Sequence, residues 1–169
     1  DIVRKEVSFD TTELKDFVIA KSIDEPLFHL AVVVDDFESN VTHIIRGEDH
    51  ISNTPRQILI QEAIGAPRPE YGHLPLILAA DRSKLSKRKH AESASLAYYR
   101  AEGILPATMV NFLALLGWHP SKSDASEVLS FEELLAQFEL KRVQKGGAVF
   151  DVNKLKWLNR EYQKRSSGK

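Results

Sequence analysis

The sequence predicts an α/β protein: half of a βαβ sheet followed by an all-helical subdomain. Three observations predict it. From Leu27 to Val34 the chain is apolar, rich in β-branched residues and closed by Asp35-Asp36, which reads as a strand buried on both faces. A second apolar stretch, Val41 to Arg46, ends at Gly47 and is followed by the helix start Asn53-Thr54-Pro55. Past Asp81 the pattern changes, and helix signals replace strand signals to the end.

Each element has its own signal. After the two strands, Thr54 is the expected N-cap and Pro55 the first helical residue; Ile58, Leu59, Ala63 and Ile64 then recur at helical spacing until Gly65. Leu76-Ile77-Leu78 after Pro75 reads as a third short strand. Two buried strands around one helix are too little for a complete sheet, so the domain reads as cut at its N-terminal side. Ser93 or Ser95 caps a helix through Arg100 that ends at Gly103, and Pro106 opens another through Leu116 to Gly117. Ser130-Phe131-Glu132-Glu133 is a capping box, and a last helix is expected over 152–162. The expected domains are 1–21, 22–79, 80–163 and a frayed tail over 164–169, with the join at Ala79–Arg82.

Composition narrows the function. The chain has 169 residues, 43% hydrophobic and 28% charged, which suits a soluble globular protein with a sizeable core. No apolar run is long enough for a membrane span, and Asp1–Lys5 does not read as a secretory leader. Cysteine is absent, which excludes thiolate metal sites and disulfides and fits a cytoplasmic protein. The near-zero net charge of −1 conceals a division: residues 1–50 carry 12 acidic and 5 basic side chains, whereas 51–169 carry 18 basic and 12 acidic. A polyanion would be drawn to the second part.

Two segments could carry chemistry. Lys84-Leu85-Ser86-Lys87-Arg88-Lys89 packs cations that repel one another, so a mobile loop closing on a polyphosphate is the functional reading. It lacks the glycines of a Walker loop, and a solvated basic loop is the bland alternative. His43-Ile44-Ile45-Arg46-Gly47-Glu48-Asp49-His50 places its polar end at the carboxyl edge of a sheet, where open α/β sheets bind ligands. Arg46 suits a fork-like grip on a carboxylate. His43, Asp49, His50 and His73 match no metal-ligand spacing, so no metal and in particular no zinc is expected.

Several motifs in order and spacing resemble bacterial-type glutamyl-tRNA synthetases. They are Val32–Asp36, Thr42–Pro55, His73–Leu78, Lys84–Arg88, Tyr99–Pro106, Asn111–Trp118 and Val149–Asn159, so that nearly the whole chain takes part. The resemblance implies a class I aminoacyl-tRNA synthetase, which activates glutamate with ATP and Mg2+ and passes it to the 3′ end of tRNA(Glu). It implies the C-terminal half of that family's Rossmann-like nucleotide-binding fold followed by a helical stem-contact domain, with Asp1–Phe9 similar to the end of a connective insertion. Lys84–Arg88, KLSKR here, looks like the second signature loop, KMSKS in general form. By similarity Lys84 and Lys87 stabilise the leaving pyrophosphate, with Lys87 foremost and Leu85 in the ATP site. Backbone groups at Leu76 and Ile77 read adenine, and Asp49 and His50 lie beside the adenosine. Arg46 grips the glutamate carboxylate, with Phe28 and Val32 in the same pocket. Arg142, Lys145, Lys156 and Arg160 are expected to meet the tRNA backbone.

Departures stand beside the likeness. Phe28 occupies a position where the family often has a tyrosine, and Val32 one where some relatives have asparagine. No HIGH-type signature occurs in these residues, and the anticodon-binding helices are not among them, so the chain reads as a central piece that lacks N- and C-terminal parts of its polypeptide. Competing readings are a non-enzymatic RNA-binding module and a glutaminyl-tRNA synthetase relative.

Overall fold

The computed structural model describes residues 1–86, 88–91, 94–120 and 126–167, the last residue by its backbone only. The chain divides into two compact units, Asp1–Leu74 and Pro75–Lys169, so the boundary falls just ahead of the expected join.

In the first unit, β1 (Ala20–Ser22) and β2 (Glu25–Pro26) form a short antiparallel hairpin. The stretch expected to be a buried strand is instead helix α1 (Phe28–Glu38). An unbroken apolar run has no period that tells strand from buried helix. The packed positions settle it physically: Val33 is buried and His29 and Asp36 are half-buried, at helical spacing, while Phe28, Val34 and Phe37 face outward.

β3 (His43–Gly47) leads through a 3-10 turn (Glu48–Asn53) into α2 (Thr54–Ile64) and then β4 (Glu70–Leu74). β3 and β4 pair in parallel, with Ile44 opposite Tyr71 and Arg46 opposite His73, so β3–α2–β4 is a complete βαβ unit. α1 packs on α2. Gly65 at φ 70° ends α2, where the Ala66 N–H reaches the Gln61 carbonyl. β4 was not expected, because Glu70, Gly72 and His73 interrupt any apolar pattern; its interior is nonetheless buried from Tyr71 to His73. Pro55 enters α2 as expected, but Asn53 is the N-cap and the Thr54 hydroxyl turns elsewhere.

In the second unit, β5 (Ile77–Leu78) pairs in parallel with β6 (Ala148–Val149), so this half is mainly but not wholly helical. Its helices are α3 (Leu96–Ala101), α4 (Pro106–Leu115), α5 (Phe131–Gln137) and α6 (Val152–Ser167). Ser95 caps α3; its rival Ser93 lies outside the described residues. The Ser130–Glu133 box is present in both directions at α5. α6 runs to Ser167 and takes in residues expected to be frayed, while 168–169 lie outside the described residues. The core joins Tyr99, Ile104, Met109, Phe112, Val128, Phe150, Leu155 and Leu158. Phe150 is central to it, edge-on to Phe112 at 4.9 Å and stacked on Tyr99 at 5.5 Å.

Candidate active site

β3 delivers Arg46 to the carboxyl end of the two-stranded sheet. Gly47, in extended backbone at φ −66° and ψ 149°, then leads into the 3-10 turn. Arg46 is half-buried and held on three sides. Its Nε donates to His73 Nε2 at 3.1 Å, and its Nη2 donates to Thr54 Oγ1 at 2.9 Å and to the His50 carbonyl at 3.5 Å. The Tyr71 ring lies 5.5 Å from the guanidinium carbon. All of these partners are neutral. Among the described residues no carboxylate pairs with Arg46, although Asp36 acts on it at longer range. Burial lowers the Arg46 pKa from its ordinary value, yet a guanidinium stays cationic at any physiological pH.

Behind Arg46 stands a chain of buried polar groups. His73 Nδ1 lies 2.5 Å from Asp1 Oδ2, and both side chains are almost fully enclosed. Thr54 Oγ1 lies 3.2 Å from His73 Nε2 and 3.2 Å from the His50 carbonyl. Arg4 pairs with Glu48 at the same edge. Burial first, then the Arg46 charge, pushes the His73 pKa down to about 4, so the imidazole is neutral near pH 7. A cavity of about 360 Å³ reaches this cluster, lined by Asp1, Thr54, Tyr71 and His73 with the apolar Val7, Phe9 and Leu59. A second of about 380 Å³ lies at the opposite end of the strands, by His43 and Glu70, and none of the expected site residues lines it.

Of the expected residues in this unit, the structure brings Phe28, Arg46 and His50 together. The Phe28 ring is 6.3 Å from that of His50, whose carbonyl meets Arg46. Val32 follows Phe28 by one turn of α1 and is half-buried. Asp49 is exposed in the 3-10 turn. His43 begins β3 and His50 follows its end, so the two histidines stand at opposite ends of the strand. His73 and Thr54 were not singled out as neighbours of Arg46. His73 meets Arg46 through the β3–β4 register, and β4 carries no apolar signal from which that register could be read.

In the second unit the start of the basic segment is anchored. Lys84 bridges Leu78 antiparallel, the Ala79 N–H donates to the Ser83 carbonyl at 2.8 Å and the Leu85 N–H to the Ile77 carbonyl at 2.9 Å. Leu85 also packs on the helical core, which explains an apolar residue inside a cationic run. Lys84, Arg88 and Lys89 are exposed, and Lys87 lies outside the described residues. Leu76 precedes β5 and Ile77 begins it, and each carbonyl already accepts one backbone bond, from Ala148 and Leu85 respectively.

The four basic residues expected to meet tRNA differ in setting. Lys145 is exposed, and Lys156 and Arg160 are exposed four residues apart on α6. Arg142 is engaged by its own unit: its guanidinium lies 5.4 Å from the Trp118 ring centre and donates to the His119 carbonyl at 2.5 Å.

The βαβ unit with Arg46 at its carboxyl edge is an open α/β arrangement of the kind that binds ligands there, and comparison with known families supplies the class, that of the class I tRNA synthetases. The chain belongs to that class: residues 1–157 match the family of class I tRNA synthetases for glutamate and glutamine, catalytic domain. Its relatives point to the glutamate branch. It is 50% identical to the glutamate–tRNA ligase of Natranaerobius thermophilus over 97% of this chain and 33% of that ligase. It is 49% identical to that of Aquifex aeolicus over 96% of this chain and 34% of that ligase. A crystal structure of a glutamate tRNA ligase from Elizabethkingia meningosepticum, in complex with its amino acid, superimposes with TM-score 0.83 at 37% identity, covering 96% of this chain and 35% of that one. The chain thus spans about a third of the length of the curated relatives it matches.

Proposed function

We propose that this chain is the part of a glutamate–tRNA ligase that grips the glutamate side-chain carboxylate through Arg46 and carries the basic loop that meets ATP. The observation that carries this reading is a half-buried guanidinium without a carboxylate partner among the described residues. An unpaired cation in such a place is costly, and an incoming carboxylate relieves the cost. His73, Thr54 and His50 occupy Nε and Nη2, while Nη1 has no bond among the described residues and leaves two donors for the substrate. Phe28 sets an apolar ring beside His50, and in this reading it and Val32, one turn further along α1, form the apolar side of the glutamate pocket.

Lys84 and Lys87 take the pyrophosphate side of ATP, where an ammonium group stabilises the charge that grows as the α-phosphate bond breaks. The tether of Lys84 to β5 gives that segment a fixed root next to Leu76 and Ile77, the backbone proposed to meet adenine. Asp49 and His50 flank the adenosine in this reading. Among the described residues no group of three His, Asp or Glu could hold a metal ion, and Mg2+ would be carried on the ATP phosphates. Lys145, Lys156 and Arg160 offer phosphate contacts to tRNA(Glu).

The test is Arg46→Gln in the full-length ligase that carries this segment. Removing one partner of a desolvated ion pair costs about 3–5 kcal/mol, so kcat/KM for glutamate should fall roughly 10²–10³-fold or more, with the KM for ATP little changed. A neutral analogue such as glutamine should lose far less. Equal losses for the charged and the neutral amino acid would remove Arg46 from substrate selection.

A further inference from the structure

We propose that His73 is a positioning residue for Arg46: anchored by the Asp1 carboxylate, it accepts the Arg46 Nε–H and so sets which edge of the guanidinium is left for the substrate. The inference rests on the reading of Arg46 as the carboxylate grip and deepens it. Three geometric facts carry it. His73 stands directly opposite Arg46 in the parallel register, so the two side chains leave the same face of adjacent strands. Arg46 Nε, a group that only donates, lies 3.1 Å from His73 Nε2, which must therefore present a lone pair. That assignment puts the ring proton on Nδ1, 2.5 Å from Asp1 Oδ2, where it is donated to the carboxylate. Each atom of the relay thus has one role, and the imidazole is held neutral as a single tautomer.

The other groups facing the ring fit this arrangement. Thr54 Oγ1 from α2 lies 3.2 Å from Nε2, Tyr71 stacks on the ring at 6.1 Å, and Arg4 Nε donates to the His73 carbonyl at 3.5 Å. Arg46, His50 and Arg4 all bring positive charge to the ring, against the Asp1 carboxylate and the more distant Glu48 that holds Arg4. A guanidinium has a rigid plane, so fixing Nε and Nη2 fixes the direction of both Nη1 hydrogens. Loss of the His73 acceptor would let that plane turn, and the Nη1 hydrogens would lose their direction toward the substrate carboxylate.

The experiment compares His73→Leu, His73→Gln and Arg46→Gln in the full-length ligase, reading KM for glutamate and KM for ATP separately. Leucine removes the acceptor, and glutamine restores one through its carbonyl oxygen. We expect His73→Leu to raise the glutamate KM by about tenfold, the scale of one lost hydrogen bond to a charged group, with the ATP KM within about twofold. His73→Gln should recover most of that loss. If Arg46→Gln raises the glutamate KM and neither His73 variant does, the inference is overturned and the Arg46 reading stands. If Arg46→Gln itself leaves the glutamate KM unchanged, the reading beneath it falls. Equal rises in both KM values, or a glutamine variant no better than leucine, would make His73 a packing residue only. Should the leucine variant fail to fold, histidine nitrogen NMR of the wild-type ligase decides: the inference expects a neutral ring protonated on Nδ1 near pH 7, and an Nε2–H ring or an imidazolium overturns it.

Discussion

His73 is nearly sealed from solvent beside a cation, and its pKa of about 4 makes it a liability in acid. The unfolded chain takes up a proton near pH 6.5 that the folded chain refuses until about pH 4. Between those values the unfolded state binds more protons, so stability falls as pH drops through the window and is intact above it. From pH 7 to pH 5 this group alone should remove on the order of 2 kcal/mol. Urea unfolding at the two pH values, wild type against His73→Gln, measures it: the wild type should lose more stability on acidification than the variant. Matching losses would mean that the ring is not held neutral. The same scale shows what a sequence can give away. Arg46 was legible as a cation at the carboxyl end of a strand from residue type and place, but its setting was not, because His73 and Thr54 reach it only through strand register and a turn. Arg142 was legible only as a charge; that it lies over Trp118 depends on the packing of segments distant in sequence.

At the scale of elements, Asn159 of α6 does the work of a cap for another helix. Its Oδ1 accepts from the Leu105 N–H at 2.9 Å and from Thr108 Oγ1 at 3.0 Å, and its Nδ2 donates to the Gly103 carbonyl at 3.0 Å. The start of α4 is thereby pinned to α6 across the helical core. Asn159→Leu would strand three polar groups, each costing about 1–3 kcal/mol when left unmade. A destabilisation on the order of 3 kcal/mol in denaturant unfolding is expected, with no change in the midpoint if the side chain is merely a surface amide. Helix starts were the best-read elements of this chain, since Pro55, Pro106, Ser95 and the Ser130–Glu133 box act through local backbone chemistry that neighbours do not overrule. Strands fared worse. α1 hid as an apolar run without period, β4 lacked an apolar signal, and β6 is two residues whose pairing with β5 spans most of the second unit. Pairing across such separations leaves no local mark.

At the scale of the whole molecule, charge is divided along the chain. The first 50 residues are acidic in balance, and the basic remainder exposes Lys145, Lys156 and Arg160. Phosphate contacts of that kind release counterions, so affinity for tRNA should fall steeply with salt and barely separate one tRNA from another. A salt titration of tRNA binding with Lys156→Gln and Arg160→Gln should show a shallower slope than wild type; an unchanged slope would leave α6 a solvated surface. The central claim, that these residues bring the glutamate grip and the basic loop to a synthetase, is tested most directly by exchange. The 169 residues would replace the matching third of the Aquifex aeolicus ligase, to which they are 49% identical, and glutamate-dependent ATP–pyrophosphate exchange would be measured. The account predicts that the hybrid activates glutamate and that Arg46→Gln within it abolishes this while ATP still binds. A hybrid that folds and binds ATP yet activates no glutamate, or activates it equally well without Arg46, would contradict it.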